Sequence, residues 1–233
     1  MQDVSNLPKI PVQKTLLVLI GFPIVSTFIS LLLLDRTVFT DLGLDFFNTF
    51  WIAITIWYLI QIMIVYQIIN QKGWKLQDIG FLWSQKQIMY FLLGYFILTG
   101  ILIGGIEYIL SNAIIDKEKL SKLSSLIPKT TTSRIIFVCM GLIAGITEEI
   151  VYRGFAIKVL ESYKISKWIA VIIATIPFIF QHGLKSINQF AWFMVWGIIL
   201  GMLFLWRKNL TINIVIHWLI ILSAVLGILQ VIK

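Results

Sequence analysis

The sequence predicts an all-α, polytopic integral membrane protein: a bundle of about seven transmembrane helices, with six to eight allowed by its polar breaks. Three observations predict it. Of 233 residues, 59% are hydrophobic and only 13% charged, too little polar surface to cover a soluble globule of this size. The apolar runs are about 20 residues long, a length that crosses a bilayer, and lack the one-sided pattern of a soluble core helix. Lysines and arginines fall mostly between those runs, where such residues anchor loops and set orientation.

The net charge of +8 does not indicate nucleic acid, because no basic tail or stripe gathers it. Cys139, the single cysteine, has no intrachain partner and leaves the redox compartment open. No repeat or low-complexity tract divides the chain, so residues 1–233 are read as one membrane domain. The lipid bilayer is its expected surroundings, and nothing in the sequence fixes an oligomeric state.

In order, a short polar lead over residues 1–14 carries Pro8, Lys9, Pro11 and Lys14. The first span is expected at Thr15–Leu34; it has no small-residue cleavage site and reads as a retained helix, not a signal peptide. A loop with Asp35, Arg36, Asp41 and Asp45 leads to a second span from Phe46 to about Ile69. Residues 73–81, Gly-Trp-Lys-Leu-Gln-Asp-Ile-Gly-Phe, read as an interfacial segment with aromatic anchors. The third span, Ile88 to Leu110, has Glu107 near its end, expected at the interface rather than in a site.

Residues 111–133 form the longest connection. Leu120, Leu123 and Ile127 at helical spacing, with Lys117, Lys119 and Lys122 between them, predict a short interfacial helix ended by Pro128. Thr132 or Ser133 is the expected cap of the fourth span, Ile135–Ile157. A fifth runs from about Trp168 to His182, a sixth from about Phe190 to Trp206, and a seventh from Leu210 to Ile232. Gly197 and Gly201, four apart in the sixth, allow close helix contact. A cytoplasmic N-terminus places most basic residues inside, from Lys9 and Lys14 to Arg207 and Lys208. It leaves Arg36, Lys185, Lys233 and the five basic residues of 111–134 outside.

The fourth span ends in Thr-Glu-Glu-Ile-Val-Tyr-Arg-Gly, residues 147–154. Two adjacent carboxylates and an arginine in a membrane-grade helix are costly and usually mark a site. On a helix, Glu149 and Arg153 share a face, while Glu148 points about 100° away. One carboxylate is thereby neutralised and the other presented to a cavity, the separation of environments that acid/base chemistry needs. The only histidines, His182 and His217, also fall in or at the ends of apolar spans. A carboxylate and two imidazoles drawn from three helices could activate a water, hold a divalent metal such as zinc, or relay protons in a transporter. The spacing fits no local zinc motif.

Glu148-Glu149-x-x-x-Arg153, then Phe178-x-x-x-His182, then the late His217 resemble the motifs of the CPBP family, the CAAX-protease and bacteriocin-processing (Abi) group of intramembrane proteases. Residues 76–81, Leu-Gln-Asp-Ile-Gly-Phe, are similar to an upstream feature of many members, and the resemblance covers roughly residues 75–225. The sequence departs from it at Ile221, where members usually carry Asn or Asp four residues after the last histidine.

The resemblance implies a CAAX-protease-like helical bundle and an endopeptidase acting on a membrane-associated peptide or protein. By it, Glu148 is the general base assisted by His182, Glu149 and Arg153 form a supporting ion pair, and His217 lies on the oxyanion side. Phe178 supports the site as part of the motif. Family members are described both as glutamate-type proteases and as metalloproteases, the latter making Glu148, His182 and His217 the candidate ligands. Asn213, one turn before His217, is a candidate for the donor role that Ile221 lacks. A bacterial cell membrane is the expected location, with peptide processing, self-immunity or envelope regulation as the family-level use. The rival readings are a non-catalytic immunity or regulatory protein with a drifted site, favoured by Ile221, and a proton-coupled transporter, for which no broken-helix pair or inverted repeat is visible.

Overall fold

The computed structural model describes residues 7–32, 36–116 and 130–226, with Glu118, Pro128 and Leu229. Long apolar runs become helices that satisfy their own backbone, the condition for crossing hydrocarbon. They are α1 (Val12–Leu31), the short α2 (Thr37–Asp41), α3 (Phe46–Asn70), α4 (Gln85–Asn112) and α5 (Thr131–Ser162). Then come α6 (Lys167–Phe180), the single turn α7 (Lys185–Asn188), α8 (Phe190–Arg207) and α9 (Leu210–Val225). Of these, α1, α3, α4, α5 and α8 are long and apolar enough to cross a membrane, whereas α6 and α9 are shorter apolar helices. The seven expected spans therefore become five long helices and two short ones among the described residues.

Local chemistry sets the helix starts. The Asp45 carboxylate accepts from Asn48 N at 2.7 Å, and Ser84 with Gln87 forms a reciprocal capping box on α4. Thr130 caps α5 by accepting from Ser133 N, which corrects the expectation of Thr132 or Ser133 as the cap. The expected interfacial helix around Leu120, Leu123 and Ile127 lies outside the described residues, as does the end of the seventh span beyond Leu229.

The core is built around α5, which α3 flanks on one side and α6 and α9 on the others. Helix α8 packs on α6 through its glycines. A Cβ at Gly197 would lie 2.6 Å from Thr175 Cγ2, and one at Gly201 2.5 Å from Val171 Cγ1, so only glycine permits this approach.

Two sequence expectations change here. The 73–81 segment does more than anchor a surface: Trp74 and Ile79 are buried in the main core. The Trp74 indole donates to Pro8 O at 2.8 Å, and Leu210 N donates to Gly80 O at 2.9 Å, tying the loop to the N-terminal lead and to α9. Gly154 is what admits it, since a Cβ there would stand 2.9 Å from Ile79 O. Second, the helix expected to end at Ile157 continues to Ser162, which moves Glu148 from near one face to the middle of a 32-residue helix.

That extension sets the depth of the site. Glu148 lies fourteen residues, or about 21 Å at 1.5 Å per residue, before the end of α5. Helix α6 returns from that end with 14 residues of its own and stops, so the turn after it comes back to the level of Glu148. The half-length helix thus removes the mismatch in depth between Glu148 and His182 that seven full spans would create.

Candidate active site

Residues Glu149–Ala156 of α5 are π-helical and every one of them is buried. π segments are uncommon and concentrate at functional sites. This one holds Glu149 and Arg153, with Glu148 just ahead of it.

Glu149 is saturated with donors. It lies 3.0 Å from Arg153 Nη1, 2.7 Å from His217 Nδ1 and 3.1 Å from Asn213 Nδ2, and has no solvent exposure. A buried carboxylate with a cation and two further donors is held ionised and fixed in place. Glu148 is held more loosely. Its Oε1 accepts the Tyr58 hydroxyl, Oε2 is 3.4 Å from His217 Nε2, and Oε1 is 3.8 Å from His182 Nε2. The two glutamates therefore occupy the separate environments that their sequence positions predict.

The rings are fixed by their other nitrogens. His182 Nδ1 faces Phe178 O at 3.0 Å; a carbonyl only accepts, so Nδ1 carries a proton and Nε2 is the nitrogen turned toward Glu148. His217 Nδ1, against the Glu149 carboxylate, is protonated by the same reasoning. The Phe178 ring sits between them, edge-on to both imidazoles at 5.1 and 6.0 Å, with the Arg153 guanidinium 4.0 Å from its centre. Phe193 stacks on His182 at 3.7 Å.

All seven sequence-predicted residues, Glu148, Glu149, Arg153, Phe178, His182, Asn213 and His217, thus come together. Asn213 does so differently from the expectation. It gives its amide hydrogens to Glu149 Oε2 and, at 2.7 Å, to Leu200 O, so neither is free for a substrate. Ile221 packs one turn further along α9, where a Cβ on Gly145 would meet its Cδ1 at 3.6 Å. Glu107 pairs with Arg134 at 2.5 Å and is half-exposed, outside this cluster.

Sequence reasoning missed Tyr58 and Gln181. The Tyr152 hydroxyl donates to Gln181 Oε1 at 2.8 Å, and Gln181 stands beside the Tyr58 hydroxyl. One clue to Tyr58 was present: Thr55, Tyr58 and Gln61 set polar groups three apart in an otherwise apolar span.

Among the described residues, no group of three His, Cys, Asp or Glu side chains is arranged to hold a metal ion. Within the expected zinc set, the two Nε2 atoms approach different oxygens of Glu148, and the oxygen nearer His182 already accepts the Tyr58 hydroxyl. As placed, these residues do not fit a bound metal.

A buried carboxylate–imidazole site inside a bundle of apolar helices is the setting of an integral membrane protein. Residues 130–223 match the family model described as type II CAAX prenyl endopeptidase, Rce1-like, and this segment is that of the CPBP family of membrane endopeptidases. It contains every sequence-predicted site residue and excludes Tyr58. No curated protein and no solved structure matches the chain.

Proposed function

We propose that this protein is an intramembrane endopeptidase that hydrolyses a membrane-associated peptide or protein with a water activated by Glu148. The observation that carries the reading is the inequality of the two glutamates. Glu149 is neutralised by Arg153 and fully occupied by donors. Glu148 faces imidazole nitrogens at 3.4 and 3.8 Å. The longer gap exceeds a direct hydrogen bond and is short enough for one water to bridge.

In this reading Glu148 takes a proton from that water, with Nε2 of His182 accepting its second hydrogen and orienting it. Hydroxide oxygen adds to the peptide carbonyl carbon. The tetrahedral intermediate then expels the amine, which takes the proton back from Glu148. His217 braces Glu148 against Glu149, and Arg153 keeps Glu149 ionised, so the base does not share its proton with its neighbour. The processing of bacteriocin-like or signalling peptides in a bacterial membrane is the family-level use we favour.

A second reading, a membrane immunity or regulatory protein without catalysis, is favoured by one observation: Ile221 packs against Gly145 and presents no polar atom to the site. Purified protein in detergent, assayed against a quenched fluorescent peptide library beside a Glu148→Gln control, separates the two. Cleavage by the parent and not by the control supports the protease; no cleavage by either supports the second reading.

A further inference from the structure

A hydrolase of this kind needs a donor for the negative charge that develops on the substrate carbonyl oxygen. The obvious groups are committed elsewhere. Both Asn213 hydrogens go to Glu149 and Leu200 O, Arg153 is paired with Glu149, and the Thr147 hydroxyl donates to Ile143 O. His182 gives its Nδ1 hydrogen to Phe178 O, and the two nitrogens of His217 face the carboxylates of Glu149 and Glu148. Lys185, in the turn beyond His182, is exposed and stands 5.9 Å from the Phe193 ring centre.

Two groups differ. The Tyr58 hydroxyl is buried and donates to Glu148 Oε1, the atom that receives the water's proton in the mechanism above. The Gln181 Nε2 amide is buried beside that hydroxyl and, among the described residues, meets no acceptor in full hydrogen-bond geometry, although its Oε1 is fixed by Tyr152. A buried, unpartnered NH2 whose other end is anchored is an oriented donor awaiting an acceptor.

We infer that Tyr58 and Gln181 form the oxyanion site of this enzyme, binding the carbonyl oxygen of the scissile peptide bond. The inference rests on the protease reading and adds two catalytic residues to it, one of them from a helix outside the matched segment. The timing follows from the chemistry. While Glu148 is ionised, it holds the Tyr58 hydrogen. When Glu148 takes the proton from water, it becomes a neutral acid and a weaker acceptor, just as the carbonyl π pair moves onto oxygen. The phenol keeps its own proton, its ordinary pKa being near 10, and its O–H rotates to the stronger acceptor. On collapse the pair returns to the carbonyl, the amine leaves with the proton from Glu148, and the Tyr58 hydrogen goes back to the carboxylate. No oxidant or further reactant is needed.

The test uses one peptide that the parent cleaves and its phosphinic analogue, in which a charged tetrahedral phosphorus replaces the scissile carbonyl. Tyr58→Phe and Gln181→Met are made singly and together in the full-length protein. Each single variant should lower kcat about 10²-fold with KM changed less than about threefold, and should weaken the phosphinate by a factor matching its loss in kcat. Should Tyr58→Phe not fold, Gln181→Met carries the same test. Loss of kcat with unchanged phosphinate binding would mean that the pair only positions Glu148, and overturns the assignment. So does a variant pair that cleaves as fast as the parent, and both results leave the protease reading standing. A parent that cleaves no peptide removes the two readings together.

Discussion

His217 Nδ1 lies 2.7 Å from Glu149 Oε1, while the far nitrogen of the same ring lies 3.4 Å from Glu148 Oε2. One imidazole therefore spans two neighbouring carboxylates that the helix turns apart. Through it the structural glutamate governs the pose of the candidate base without touching substrate. Glu148→Gln tests the base itself. The amide keeps the volume and an oxygen for the Tyr58 hydroxyl but cannot take the proton from water. Turnover of a cleavable peptide should fall by about 10²–10⁴, with folded yield in detergent unchanged. Near-normal turnover would remove Glu148 from the mechanism.

Glu149→Ala is expected to fail in another way. It strands the Arg153 charge in the core and takes the acceptor from both His217 Nδ1 and Asn213. Leaving one partner of a buried pair uncompensated costs about 3–5 kcal/mol. Folded yield and melting temperature should both drop, along with activity. A variant that accumulates and melts like the parent would show that the pair does not support the fold.

The metal question has a direct measurement. Because the Glu148, His182 and His217 atoms do not form a metal-holding group, stringently chelated protein should cleave at the parent rate, and elemental analysis should find no stoichiometric zinc. Activity lost on chelation and regained with added metal would require those three side chains to rearrange around an ion.

Asn213→Ala separates a brace from a donor. A donor at this position predicts slower turnover with folded yield unaffected. The structure instead gives Asn213 no solvent exposure and two acceptors on different elements, Glu149 and Leu200 O. Removing it takes a donor from the buried Glu149 carboxylate and the tie from α9 to the Leu200 carbonyl, at about 1–3 kcal/mol, so melting temperature should fall together with kcat. Slower turnover at an unchanged melting temperature would restore the donor role.

What the sequence made legible follows from how far each interaction reaches. Apolar runs report their own burial, so the helices were readable to within a few residues. The Glu148, Glu149 and Arg153 cluster declared itself because charge in such a run needs a reason. The Tyr58–Glu148 contact joins residues 90 apart, and nothing local encodes it beyond a polar stripe on α3. The role of Asn213 depends on which way its amide turns, and that is set by Leu200 and Glu149 rather than by its neighbours in sequence. The 73–81 loop looked interfacial because its composition is mixed; Gly154, 73 residues on from Phe81, is what lets it into the core.

The turn that ends α6 is held against α1. Gly183 has φ +58°, and a Cβ there would stand 2.3 Å from Ser30 Oγ and 2.5 Å from Ser30 Cβ. Ser30 Oγ in turn accepts from Leu184 N at 3.0 Å, so α1 clamps the turn that carries Gln181 and His182. Gly183→Ala adds left-handed strain of roughly 1–2 kcal/mol and forces the turn off Ser30. A displacement of about 1 Å at a reacting group can cost on the order of 10²-fold in rate. Turnover should therefore fall at least about tenfold, with a smaller loss of melting temperature than Glu149→Ala produces. Gly94→Ala, where a Cβ would meet nothing within 4 Å, is the matched control and should be neutral. Pairing Gly183→Ala with Ser30→Gly removes the clash and should recover part of the rate. If Gly183→Ala cleaves as fast as the Gly94 control, the clamp does not position His182, and the short length of α6 alone sets its depth.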